Sequence, residues 1–289
     1  MANLKEIRNR INSVGSTMQI TSAMKMVSAA KLKKAQDAIV AMRPYSETLS
    51  ALLRNLSANL DGDAQNPYAV QREVKRVLMV AITSNRGLAG AFNTNVIKEC
   101  KRSLEEAYNG MEVSFLTIGK KGNDILHKTG RVALNNNEIF DDLNFEANAA
   151  IAEQIMQDFA DGTYDKVVLV YNKFKNAATQ IVMHESFLPI EATDGQNQES
   201  GPAADFIFEP SKEEIISELI PKSLKTQLFK ALRDSVASEH GARMTAMHKA
   251  TDNAKDLKDR LTLEYNKARQ AAITNEILEI VGGAEALAG

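Results

Sequence analysis

From Leu4 the apolar residues recur at Ile7, Ile11, Val14 and Met18, in alternating steps of three and four. That is the seam of a coiled coil rather than the broader stripe of a globular surface helix. The seam shifts to Ile20, Met24 and Val27 and resumes at Leu49, Leu53, Leu56 and Leu60, with no glycine between Gly15 and Gly62. Pro44, the only proline in that stretch, predicts a kink near Arg43 in one long N-terminal helix over residues 1–60. The far end of the chain has the same character. Ser211-Lys-Glu-Glu214 is a capping box, and Pro221 predicts a kink or a restart shortly after it. From Pro221 to Val281 the only glycine is Gly241, and Met247, Ala250, Ala254, Leu257 and Leu261 again step by three and four. At about 1.5 Å per residue the two helices would reach roughly 85 and 105 Å. Two long heptad helices at opposite ends of one chain pair most simply as an antiparallel coiled coil, with small alanines allowing close approach.

Between the helices the period changes. Val74–Ile82, Glu112–Ile118, Lys166–Tyr171 and Thr179–Leu188 read as strands, and the stretches from about Thr94 to Tyr108 and Glu146 to Phe159 read as helices. Alternation of strand and helix over residues 74–190 predicts a small, mostly parallel, Rossmann-like sheet. Residues 191–210 are rich in Gly, Asn, Gln and Ser and predict an exposed loop, and residues 211–289 make the C-terminal helix. The fold class is therefore α/β, with a long antiparallel coiled coil attached.

Charge is polarised along the chain. Residues 1–60 carry nine Lys/Arg against three acids and residues 211–289 carry twelve of each, which leaves fourteen against twenty-two in the middle. A basic end suggests an anionic partner, nucleic acid or an acidic protein face. Nucleic acid fits poorly, because the C-terminal helix is charge-balanced and no aromatic stacking platform accompanies it. The single cysteine, Cys100, offers neither a disulfide framework nor a zinc site and points to a reducing compartment. The longest apolar run, Val77 to Ile82, is too short to span a bilayer.

Catalytic signals are absent from the pattern. Ser84-Asn-Arg-Gly-Leu-Ala-Gly90 lies where a phosphate loop would lie, after the first strand and before a helix, but matches neither GxGxxG nor GxxxxGK[ST] and reads as a tight structural turn. His127, His184, His240 and His248 are scattered, with no HExxH, GxSxG or paired-carboxylate motif beside them. No catalytic residue, cofactor or metal is expected. An enzyme built on the α/β segment, with helices serving only for oligomerisation, would have to bind a small ligand without these signatures.

The end of the C-terminal helix poses a physical problem. Ala271, Ala272, Ile273, Ile277, Leu278, Ile280 and Val281 spread around nearly the whole circumference at about 100° per residue, with Gly282-Gly283 expected to stop the helix after them. A helix apolar all round must be enclosed, and the chain has nothing left to enclose it.

Three stretches, ITSAMKMVSAAKLKKAQ (residues 20–36), SNRGLAGAFN (84–93) and SEHGARMTAMHKATDNAKDLKDRLTLEYNKARQAAITNEILEIVGGAEAL (238–287), together resemble the signature regions of the gamma subunits of rotary F-type ATP synthases, in order and spacing, across the whole chain. The resemblance implies a non-catalytic rotor shaft inside a ring of alpha and beta subunits. Proton flow through the c-ring would turn it during ATP synthesis, and hydrolysis would drive it backward. It implies epsilon and the c-ring as further partners, no nucleic acid, no membrane span of its own, and a peripheral place on the cytoplasmic face of a bacterial plasma membrane. By the same resemblance Met24, Lys25 and the lysines after them pass acidic beta loops. Arg243, Arg269, Gln270 and Thr274 make polar contacts with the ring, Ile277 belongs to the enclosed tip, and Phe206 and Phe208 of the foot segment DFIFEP (205–210) touch the c-ring. No two-cysteine insert is present, so thiol control is not implied.

Overall fold

The computed structural model describes residues 4–58, 67–190 and 212–288. The expected capping residue Ser211 and the foot residues Phe206 and Phe208 lie outside the described residues. In chain order the elements are α1 (Leu4–Ala58), β1 (Arg76–Ile82), α2 (Phe92–Glu106), β2 (Glu112–Ile118), α3 (Lys120–Leu126), β3 (Val132–Asn135), α4 (Phe145–Ala160), β4 (Lys166–Phe174), β5 (Gln180–Leu188) and α5 (Lys212–Ala288). They group into two compact units, one of Met1–Ser28 with Arg243–Gly289 and one of Ala29–Ala242.

The larger unit holds the sheet, in the order β3-β2-β1-β4-β5. β1 pairs in parallel with β2 and β4, β2 in parallel with β3, and β4 antiparallel with β5. After its first residue β1 is buried at every position, as a strand covered on both faces must be. Alternate side chains supply two cores. Leu78, Val80 and Ile82 join Ile151, Ile155 and Phe159 of α4 and Leu224, Leu228 and Leu232 of α5. Val77, Met79 and Ala81 join Val96, Ile97 and Cys100 of α2 on the other face. α4 starts where Asn144 accepts a hydrogen bond from the Ala147 N–H at 2.8 Å, a side-chain cap. β3 and α3 are additions to the expected elements. β3 is four residues long and mostly exposed at the sheet edge, and α3 is seven residues containing two lysines and a glycine, so neither carries a period long enough to read.

In the smaller unit two helical segments meet along one seam. Along α1 it runs through Leu4, Ile7, Ile11, Val14, Met18, Thr21, Lys25 and Ser28, all buried or half-buried. The expected shift to Ile20, Met24 and Val27 does not occur: Ile20 is 60% and Val27 57% exposed, and Met24 is half-buried beside the seam. The heptad is continuous, and at Thr21 and Ser28 it is polar. Apolar character alone misplaces it there. Along α5 the seam runs through Met247, Thr251, Ala254, Lys258, Leu261, Tyr265 and Ala268, so Leu257 is exposed in place of Lys258 and Thr251 replaces Ala250 as the seam residue. The buried ends, Ile7 and Leu261, lie before Thr21 and after Thr251, which makes the two segments antiparallel.

Both helices are continuous through their prolines. α1 contains Pro44, where one ladder bond to the Val40 carbonyl is missing, and α5 contains Pro221. α5 also continues through Gly282-Gly283 to Ala288, contrary to the expected stop. A glycine costs a helix about 1 kcal/mol relative to alanine, too little by itself to end a long helix.

Candidate functional site

The loop after β1 is a closed structural turn. Asn93 accepts from the Ser84 N–H at 2.9 Å, and the Ser84 hydroxyl lies 2.7 Å from the Arg86 carbonyl, to which it donates. Leu88 and Gly90 take positive φ values of 61° and 58°, so the backbone is bent tightly over the strand end. Both the N–H and the hydroxyl of Ser84, at the head of the turn, are engaged within it. Thr83 accepts from the Gly122 N–H at 2.9 Å, and a Cβ on Gly119, whose φ is 111°, would stand 2.3 Å from the Thr83 carbonyl oxygen. These glycines serve close packing of two βα turns.

The scattered histidines stay apart. His184 stacks on Tyr108 with ring centroids 6.0 Å apart, and burial lowers its pKa. His248 lies 3.2 Å from Asp252 one helical turn away on an exposed face. Burial first, and the Glu99 charge second, push the Cys100 thiol up to about 12, where it is inert. Among the described residues no group of three or more His, Cys, Asp or Glu could hold a metal ion, and no helix is long and apolar enough to cross a membrane.

What the larger unit does provide is a firm seat for its part of α5. Beyond the buried leucines, the Asn148 amide donates to the Lys225 carbonyl at 2.8 Å, Lys225 pairs with Glu153, and Arg233 donates to the Leu143 carbonyl at 2.9 Å. Phe145 meets Phe229 edge-on at 5.5 Å, and the Ser238 hydroxyl donates to the Asn172 carbonyl at 2.9 Å. A Cβ on Gly241 would come within 3.2 Å of the Ala177 Cα, a tight contact that a side chain could make only if its neighbours gave way by a few tenths of an ångström. None of these bolts carries a period or motif; Gly241, a lone glycine in a long helix, is the one signal in the sequence that marks a close approach.

The smaller unit carries the surfaces. Outside its seam α1 exposes Ile20, Met26 and Val27, while Lys25 is half-buried on the seam itself. Arg243 is buried at 8% exposure and engaged with neighbouring groups, so it is not a surface residue of the chain. Arg269 and Gln270 are exposed, and Thr274 donates to the Gln270 carbonyl at 2.9 Å. Beyond them Ile273, Ile277, Leu278, Ile280 and Val281 are 48–66% exposed, an apolar surface left uncovered by the other described residues. Single exposed apolar residues are ordinary, but five within nine positions, spread over roughly 160° of one helix at about 100° per residue, mark a binding surface.

A family model for ATP synthase matches residues 3–287. The ATP synthase gamma chain of Christiangramia forsetii is 68% identical over 289 residues, the whole of both chains. That of Geotalea daltonii is 44% identical over 290 aligned positions, again across all of both. Among solved structures, a chain in the central stalk and c-ring of the Tetrahymena thermophila mitochondrial ATP synthase is 27% identical, with a TM-score of 0.61 over 80% of this chain and 99% of its own. A chain of the Euglena gracilis mitochondrial ATP synthase in rotational state 3 shares the fold at 24% identity and a TM-score of 0.72, covering 98% and 94% of the two chains.

Proposed function

The chain belongs to the ATP synthase gamma-chain family, and from that premise we propose how its parts divide the work of a rotor. As a central rotor subunit of a rotary ATP synthase it couples ion movement through the c-ring to the catalytic cycle of the beta subunits. The smaller unit turns inside the ring of alpha and beta subunits, with the α5 tip around Ile277 enclosed by them. Met24 and Lys25 pass acidic beta loops, and Arg269, Gln270 and Thr274 supply polar contacts that are made and broken as the shaft turns. Methionine, alanine and lysine suit such a bearing, because flexible side chains and a point charge hold no single angle against the others. The larger unit, with Phe206 and Phe208 of the foot segment, faces epsilon and the c-ring.

The chain performs no chemistry itself. A two-helix shaft offers a different set of side chains to each beta subunit at any angle, so each site's conformational equilibrium is biased differently. A contact that favours one state by about 1.4 kcal/mol shifts its population ratio tenfold. The protein is a subunit peripheral to a membrane complex, on the cytoplasmic face of the bacterial plasma membrane. The single observation that carries this reading is the uncovered apolar tip, Ile273 to Val281. Its test is ATP-driven rotation: with alpha and beta fixed to a surface, a bead on the α/β domain of this chain should turn in one direction. Hydrolysis by the complex with a stationary bead would overturn it, as would ATP turnover by the pure chain.

A further inference from the structure

At the middle of the antiparallel seam the Thr21 and Thr251 hydroxyl oxygens lie 2.8 Å apart. Each also reaches a carbonyl of its own helix, Thr21 that of Met18 at 3.1 Å and Thr251 that of Met247 at 2.8 Å. Two hydroxyl protons serve three contacts, so one hydroxyl donates back to its own helix while the other donates across the seam. Stepping away from this pair in opposite directions along the helices brings Met18 opposite Ala254, Val14 opposite Lys258, Ile11 opposite Leu261 and Ile7 opposite Tyr265. Every one of these eight residues is buried or half-buried, so one register accounts for both burial patterns.

The neighbours of the pair discriminate poorly between registers. Met18 and Met247 are flexible, Ala254 is small, and Lys25 and Lys258 are half-buried, a position where lysine can lay its aliphatic stem along a seam and keep its charge in water. The spacing itself repeats every seven residues, so a slip by one heptad would again place seam residues against seam residues. Slipped one way, Thr251 faces Val14 and Thr21 faces Met244, and the cross-seam hydroxyl bond is lost. Slipped the other way, Thr251 faces Ser28 but Thr21 faces Lys258, so the Thr21 hydroxyl loses its cross-seam hydroxyl partner. We propose that Thr21 and Thr251 form a register lock, a directional polar contact that holds the two shaft helices in one alignment against sliding. This goes beyond the rotor assignment and does not depend on which partners enclose the shaft.

Cysteine pairs in the full-length chain read the register directly. Ile11→Cys with Leu261→Cys reports the observed alignment, and Ile11→Cys with Ala254→Cys or Ala268→Cys reports a slip of one heptad either way, using a short bis-maleimide. Cys100 is buried and stays silent. In the parent only the first pair should cross-link above background. In Thr21→Val/Thr251→Val the slipped pairs should rise several-fold with the thermal midpoint no lower than the parent's, while Thr21→Ser/Thr251→Ser keeps the parent pattern. If the double valine variant folds poorly, Thr251→Val alone should show the same shift to a smaller extent. Slipped pairs at background in both valine variants would overturn the proposal, and so would slippage of the serine variant equal to that of the valine variant.

Discussion

Tyr171 donates its phenolic proton to Glu185 Oε2 at 2.7 Å, while Gln227 donates to Oε1 of the same carboxylate at 2.7 Å. One acidic side chain on β5 thereby ties a neighbouring strand to α5. Burial and then the Glu185 charge raise the Tyr171 pKa far above the usual phenol range. Because the folded value lies above the unfolded one, near 10, this contribution is complete below about pH 10 and is lost as pH rises beyond it. Thermal midpoints should therefore fall more steeply above pH 10 in the parent than in Tyr171→Phe. At pH 7 Glu185→Ala should cost about 1–3 kcal/mol, since it leaves two donors without their acceptor. Equal alkaline slopes for parent and Phe variant would show that Tyr171 is not the group responsible.

Asp165 gives the opposite pH dependence. Its carboxylate accepts from the Arg76 N–H at 2.8 Å, the Lys75 N–H at 3.1 Å and the Arg76 guanidinium at 3.1 Å. Burial by itself would raise its pKa, but the Arg76 and Lys75 bonds together outweigh it and hold the group below the ordinary carboxylate range. Its stabilisation is present above the unfolded value, about 3.9, and is lost as pH falls through the lower folded value. Asp165→Asn should lower the denaturation midpoint at pH 7 by an amount equivalent to about 1–2 kcal/mol. The difference should shrink below pH 4, and urea titrations at pH 7 and pH 3 would measure it.

How much of this was legible in sequence depends on whether a feature repeats. β2, Glu112–Ile118, and α4, Phe145–Ala160, have periods long enough to read within a residue, and so does the heptad from Leu4 to Met18. The seam was misread where it turns polar, because Thr21, Lys25, Ser28 and Thr251 carry no apolar mark while Ile20, Val27 and Leu257 beside it do. Long-range bolts such as Gln227 to Glu185 join residues forty-two positions apart and have no local signature. The exposed tip was legible because its apolar side chains, with Ala271 and Ala272 counted, spread around the helix at about 100° per residue, a property of the sequence itself.

Met24 tests the bearing. It sits half-buried on α1 beside Lys25, with Met26 65% exposed two residues on. A lysine there would add a charge facing the proposed acidic beta loops, and an ion pair formed at one angle would favour that angle by about 1 kcal/mol or somewhat more if partly buried. Met24→Lys should therefore reduce coupling between ATP turnover and proton pumping more than it reduces assembly, with Met24→Ala close to the parent. Membrane vesicles assayed for both activities distinguish them. Identical behaviour of the two variants would remove charge from the account of this contact.

The tip allows a graded test. α5 continues through Gly282-Gly283 to Ala288, and a Cβ on either glycine would meet nothing within 4 Å. The two glycines weaken that last segment by about 1 kcal/mol each relative to alanine, so it contributes little as a rigid extension. Removing residues 282–289 should leave assembly with alpha and beta nearly unchanged. Cutting back to Gln270 removes Ile273, Ile277, Leu278, Ile280 and Val281, all exposed in the chain alone, and should lower complex yield and torque while leaving the α/β domain folded. Ile277→Asp should imitate the longer cut, because enclosing an unpaired carboxylate costs several kcal/mol. Complex yield and ATPase rate, measured for the three variants with the same alpha and beta subunits, rank them. If Ile277→Asp assembles and turns over like the parent, the tip is solvated in the complex, and its apolar circumference needs a different explanation from enclosure by the ring.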